Sequence, residues 1–168
     1  EEIQDDEGSC KPICGLNVKF ALAEHIVRCY SYRFEVERQG KFQVSVAENY
    51  EIPKTFWGKL QKGIPYQKGD QLITSEMVMG PKRKGISLTY ITDTRPTDRL
   101  IELANGCDAL VCEGMYGEEE KREKAEENRH MLFSEAAMIA KNSKAKKLIL
   151  THYSPSISDP MLFLDRAT

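Results

Sequence analysis

The residues of this chain best suited to chemistry stand at the ends of strand-like runs. Ile86, Leu88 and Tyr90 alternate with Ser87 and Thr89, and the run closes on Asp93 just before Pro96 stops regular structure. Lys147 to Thr151 closes in the same way on His152. Cys107 to Glu113 is a third short run, ending in an acid, and His25 follows a fourth, Asn17 to Leu22. The chain has 3 histidines, His25, His130 and His152, each at or just past an element edge. One histidine alone is more often structural than a ligand; the joint pattern points to a metal. A carboxylate with imidazoles is a donor set for Zn²⁺ or Mn²⁺. An Asp shared between two such ions would serve a hydrolytic site in which a bridging water becomes the nucleophile at neutral pH.

The elements that must position these residues alternate in type. Asn17–Leu22 and Cys29–Val36 read as strands, with a turn at Arg38-Gln39-Gly40-Lys41. After the strand that ends at Asp93, Thr97-Asp98 can cap a helix running through Leu103. Glu118 to Arg129 is a dense charge run read as one solvated helix, and Ser134 to Lys144 is a second helix, leading into the Leu148 strand. Strand, helix, strand, helix, strand argues α/β layering with parallel neighbours. Residues 1–14 show no periodicity and read as an opening loop, with Cys10 and Cys14 as free thiols rather than half of a zinc site. Between Phe42 and Arg83 the pattern is broken by Pro53, Gly58, Gly63, Pro65, Gly69, Gly80 and Pro81, leaving a turn or two of helix near Lys54–Gln61. A long aperiodic excursion of this kind is usually functional. Its Lys54, Lys59, Lys62 and Lys68, with Trp57 and Tyr66, suit a nucleic-acid backbone or, equally, a solvated surface.

Composition sets outer bounds. At 168 residues the chain holds one domain with a core, and 40% apolar with 30% charged residues is ordinary for a globular protein. A net charge of −2 carries no overall nucleic-acid signature, so a polyanion would be met by a local basic patch or a metal. No apolar run approaches the ~20 residues needed to span a bilayer, and the acidic opening does not read as a signal peptide. Five cysteines, an odd number, favour reduced thiols and a cytoplasmic setting.

Five segments in order, AEHIVRCYSYRFE, TYITDTRP, ALVCEGMYG, HMLFSEAAMIA and LTHYSP, resemble successive motifs of the ribonuclease Z family of metallo-β-lactamase-fold phosphodiesterases. The resemblance runs from about Val18 to Pro155 and implies an α/β fold, a metallo-β-lactamase-like αββα sandwich. Only its second half would be present, as a single partial domain over 1–168 with an arm inserted at about 41–83. It implies that His25 and His152 are metal ligands, that Asp93 bridges a pair of Zn²⁺ (or Mn²⁺) ions, and that His130 protonates the leaving 3′-oxygen with Glu113 orienting it. Arg95 would pair with phosphate and the arm, with Lys54, Lys59 and Lys62, would hold pre-tRNA. A homodimer is implied as well.

The departures from the family are specific. Cys112-Glu113-Gly114-Met115 stands where the family has His-Glu-Ala-Thr, Leu132 replaces a threonine, and Ser31 replaces a glycine. The His-x-His-x-Asp-His cluster is absent, which leaves too few ligands for a closed site. The expectation is therefore a hydrolase that removes the 3′ trailer of pre-tRNA, completed by a missing N-terminal half, with this chain alone inactive. The alternatives are a phosphodiesterase for small or cyclic substrates, or a non-catalytic dimerisation module.

Overall fold

The computed structural model describes residues 3–13 and 15–167, so the Cys14 reading lies outside the described residues. The strands, in chain order, are β1 (Glu7–Ile13), β2 (Leu16–Leu22), β3 (Tyr30–Arg38), β4 (Tyr66–Lys68), β5 (Gln71–Ile73), β6 (Arg83–Ile91), β7 (Ala109–Glu113) and β8 (Leu148–Thr151). The helices are α1 (Val44–Asn49), α2 (Lys54–Gln61), α3 (Ser75–Val78), α4 (Asp98–Ala104), α5 (Arg122–Glu127) and α6 (Phe133–Asn142). The chain divides into two compact units, Glu37–Gly85 and the remainder on either side of it.

The larger unit is built on a six-stranded sheet in the order β1-β2-β3-β6-β7-β8. β1, β2 and β3 are antiparallel neighbours; β6, β7 and β8 are parallel. The parallel half follows from the connections: α4 carries the chain from β6 to β7 and α6 carries it to β8, the crossovers that parallel pairing requires. Thr97 caps α4 by accepting the Leu100 amide. α4 and α6 cover one face of the sheet, where Ile91, Leu100, Leu103, Leu110, Cys112, Met131 and Ile139 form the core. Two sequence expectations need correction here. The opening segment is not a loop but β1, an edge strand whose residues are nearly all exposed, so no apolar alternation marks it. The Glu118–Arg129 run is not one helix: a 3₁₀ turn at Glu119–Lys121 precedes α5, and Arg129 turns out of the helix at φ 59°.

The other face of the sheet carries apolar side chains in the open. Register places Leu16 opposite Val36 and Val18 opposite Phe34, and Tyr90, Val111 and Ile149 in one row. Val36, Ile86, Leu88, Tyr90 and Ile149 are all exposed, while the alternate residues Thr89 and Ile91 of β6 are buried against the helices. A sheet with helices on one face and open apolar residues on the other is one α/β layer pair of an αββα sandwich.

The smaller unit is not the solvated excursion that its weak periodicity allows. It has its own core, Ala47, Ile52, Leu60, Ile73 and Val78, with Phe42, Tyr50, Phe56, Trp57 and Tyr66 packed around it. The Trp57 indole N–H donates to the Ile52 carbonyl (2.9 Å). The elements are too short for either period to show: a six-residue helix, an eight-residue helix and two three-residue strands. Lys54, Lys59 and Lys62 are exposed; Lys54 lies over the Trp57 ring and Lys59 over the Phe56 ring.

Candidate metal centre

Asp93 follows the C-terminal end of β6, Glu113 ends β7 and His152 follows β8, so three parallel strands deliver their last residues to one edge of the sheet. In open α/β sheets that edge is where ligands bind. His25 arrives on the β2–β3 connection, held there by an isolated bridge between Glu24 and Arg95. His130 comes from the α5–α6 connection.

These residues converge. One donor atom each from His25, Asp93 and His130 lie within 4.8 Å of one another. His152 Nε2 is 3.4 Å from Asp93 Oδ1. The His25 and His130 rings are 5.2 Å apart and the His130 and His152 rings 5.4 Å apart. His152 sits at φ 60° and Arg129, next to His130, at φ 59°, the left-handed region that non-glycine residues adopt only when the surroundings impose it. Backbone strain at His152 and at the residue before His130 marks both segments as held in place.

Behind the imidazoles stand acceptors that fix their tautomers. His25 Nδ1 is 3.1 Å from the Arg129 carbonyl, which can only accept, so Nδ1 carries the proton and Nε2 keeps its lone pair. His130 Nδ1 is 3.2 Å from Glu113 Oε1. Glu113 also receives the amides of Thr94 (2.6 Å) and Met131 (3.2 Å), so both carboxylate oxygens act as acceptors and His130 Nε2 is left bare. Metal-binding histidines use this arrangement, with the second nitrogen tied to a carbonyl or carboxylate. The donor set of Asp93 and histidines with such backing fits a Zn²⁺ or Mn²⁺ ion.

The electrostatics follow from burial. Glu113 is 1% exposed. Burial pushes its carboxyl up to about 7, assisted by the charge of Asp93 and opposed by the two amide donors and His152. Burial lowers His130, helped by His25, while Asp93 works in the opposite direction. Cys29, whose thiol donates to the Asp93 carbonyl (3.5 Å), is held protonated above its ordinary value by burial first and by Asp93 and Glu113 as well.

Every site residue singled out in the larger unit lies at this edge, but Arg95 is differently placed from the others. Its guanidinium, 13% exposed, forks onto Glu135 (2.6 and 2.9 Å) and also donates to the His130 carbonyl. Sequence reasoning missed Glu135 and Arg122, which joins Glu135 at 2.9 Å. The available signal was Glu135 three residues after Leu132: it accepts the Leu132 amide (2.9 Å) as a helix-start glutamate does. Lys54, Lys59 and Lys62 belong to the smaller unit.

A family model described as a beta-lactamase superfamily domain matches residues 15–153. A ribonuclease Z of Lachnoclostridium phytofermentans is 51% identical over 136 residues, covering 81% of this chain and 45% of its own length. A ribonuclease Z of Clostridium acetobutylicum is 49% identical over 149 residues, covering 88% of this chain and 48% of its own. Among solved structures, the metallo-beta-lactamase fold protein YhfI from Bacillus subtilis aligns over 98% of this chain and 47% of that one, with a TM-score of 0.59 at 18% identity. The chain spans about half the length of the curated relatives it matches. With the family model, the ordered motifs and the parallel strand ends in agreement, the chain belongs to the beta-lactamase superfamily.

Proposed function

We propose that this chain forms one half of a ribonuclease Z-like, metal-dependent phosphodiesterase that removes the 3′ trailer of pre-tRNA. The observation that carries the reading is the convergence of His25, Asp93, His130 and His152 at one sheet edge, with Glu113 buried behind His130. Similarity to ribonuclease Z over most of the chain supports the choice of substrate. His25, Asp93 and His152 would hold the metal, Zn²⁺ or Mn²⁺. A bound ion would supply Lewis acidity and a water-derived nucleophile near neutral pH. His130 would supply a proton to the leaving 3′-oxygen, with Glu113, 3.2 Å from its Nδ1, orienting the ring. The half-exposed His152 and Asp93 leave this edge accessible to a phosphodiester.

The remaining ligands come from the absent His-x-His-x-Asp-His cluster, carried by a second sheet that would cover the open apolar face. The arm at about 41–83, within the unit Glu37–Gly85, would hold the tRNA through Lys54, Lys59 and Lys62, and assembly as a homodimer follows the same resemblance. The direct test is pre-tRNA cleavage by the full-length enzyme with and without Asp93→Ala. The variant is expected to lose at least about a hundredfold in rate, the scale of removing a group that acts in the transition state; cutting at the wild-type rate refutes the proposal. Excising 44–80, which leaves β3 and β6 intact, separates the substrates: tRNA cleavage should fall while a small chromogenic phosphodiester is spared, and equal loss on both argues against the arm.

A further inference from the structure

We infer that Arg95 is a positioning residue, whose pairing with buried Glu135 sets the place of His130 and ties it to the His25 and Asp93 segments. The inference rests on His130 belonging to the site, as proposed above.

Three chain segments meet on this one residue. Its main-chain amide donates to the Glu24 carbonyl (3.0 Å), the residue before His25, and the Glu24 amide returns to Thr94 Oγ1 (2.8 Å). Asp93 lies two residues upstream on the same turn. The guanidinium donates from Nη1 to the His130 carbonyl and to Glu135 Oε2 (2.9 Å), and from Nη2 to Glu135 Oε1 (2.6 Å). Glu135 in turn accepts the Leu132 amide (2.9 Å). The backbone is therefore gripped on both sides of Met131, by Arg95 at residue 130 and by Glu135 at residue 132. A planar fork is what this requires: a lysine ammonium is a point donor and cannot span two carboxylate oxygens in fixed geometry.

The same contacts argue against Arg95 as a phosphate ligand. Its donors are already taken by the His130 carbonyl and by Glu135, a carboxylate 8% exposed that it shares with Arg122, and Glu126 lies 4.0 Å from Nη2. An incoming phosphate would meet two acids beside the guanidinium, and would have to displace Glu135 from the fork.

The test uses the full chain, metal-free and labelled with ¹⁵N in its 3 histidines, so that each imidazole is followed by NMR. Signals are assigned with single His→Gln variants, and cooperative thermal unfolding checks the fold. Arg95→Gln, which keeps the main-chain bridge to Glu24, should displace the His130 signals most, with smaller shifts at His25 and His152, whose rings lie 5.2 and 5.4 Å from it; Arg95→Lys should not restore them. Glu135→Gln, which removes the charged partner of the fork and likewise keeps the Glu24 bridge, should displace the His130 signals in the same way. If Arg95→Gln does not fold, Glu135→Gln decides. His130 signals that superpose on the wild type in a folded variant overturn the inference. So does inorganic phosphate that perturbs the Arg95 side-chain N–H signals of a second wild-type sample, labelled with ¹⁵N in its arginines and assigned with Arg95→Lys. None of these readouts depends on RNA cleavage, so failure here and failure of the nuclease reading are separate results.

Discussion

Glu113 shows how one buried side chain can hold main chain and imidazole at once. It is 1% exposed, accepts two main-chain amides and touches His130. Its folded value, about 7, lies above the 4.5 of an unperturbed glutamate, so between those values the folded chain holds more protons than the unfolded one. Stability from this group is present below about pH 4.5 and is lost as pH rises through 7. In chelator-treated chain, Glu113→Gln should remove that dependence: relative to wild type it gains up to about 3 kcal/mol between pH 4.5 and 8. Urea midpoints measured across that range check it, and parallel curves would show that the carboxyl is not raised. The acid was legible in the sequence as the end of a strand. Its two amide partners were not, because Thr94 and Met131 reach it from segments 19 and 18 residues away.

At the scale of elements, α6 decides between a cap and a core. Leu132 stands where the resembling family has threonine, and the loss of a capping hydroxyl is worth about 1 kcal/mol. The structure shows what Leu132 does instead: it is fully buried with Tyr116 and Ala125, while Glu135 takes its amide. Removing a buried leucine side chain costs about 2–5 kcal/mol, so packing outweighs the cap. Leu132→Thr is therefore expected to lower stability by about 1 kcal/mol or more, read from chemical unfolding; a gain would show that the helix start governs. The strands β2, β3, β6, β7 and β8 and the helices α4 and α6 were readable because each repeats its own period over several residues. β1 was hidden because an exposed edge strand needs no apolar face, and the smaller unit because its elements end before a period can repeat.

At the scale of the whole chain, the apolar sheet face is the feature sequence periodicity could not orient. Ile86, Leu88 and Tyr90 alternate as a strand should, yet they face away from the helices. An uncovered patch of this kind promotes association. The chain by itself is expected to sediment as concentration-dependent oligomers, and the double variant Leu88→Lys with Tyr90→Lys should shift it toward monomer in analytical ultracentrifugation. Unchanged sedimentation would place the association elsewhere. The candidate site was legible in part: Asp93, Glu113 and His152 could be read as strand ends, while the distances that bring His25 and His130 to them follow from connections that no periodicity describes.

The base of the smaller unit has a consequence for how the chain is assembled. The Gly80 amide donates to the Lys41 carbonyl (2.8 Å), and a Cβ on Gly40 would stand 1.9 Å from the Gly80 oxygen, so only glycine allows the two strands of chain to pinch together. β3 ends at Arg38 and β6 begins at Arg83, and the two are neighbours in the sheet. Once the unit has folded on its own core, those partners are joined by a short clasp rather than a long tether. The entropy of closing that loop, which grows only with the logarithm of its length, is then met within the insertion. Segments placed between Lys41 and Gly80 can accordingly grow or shrink through evolution while the register of the sheet that presents Asp93 and His152 stays fixed.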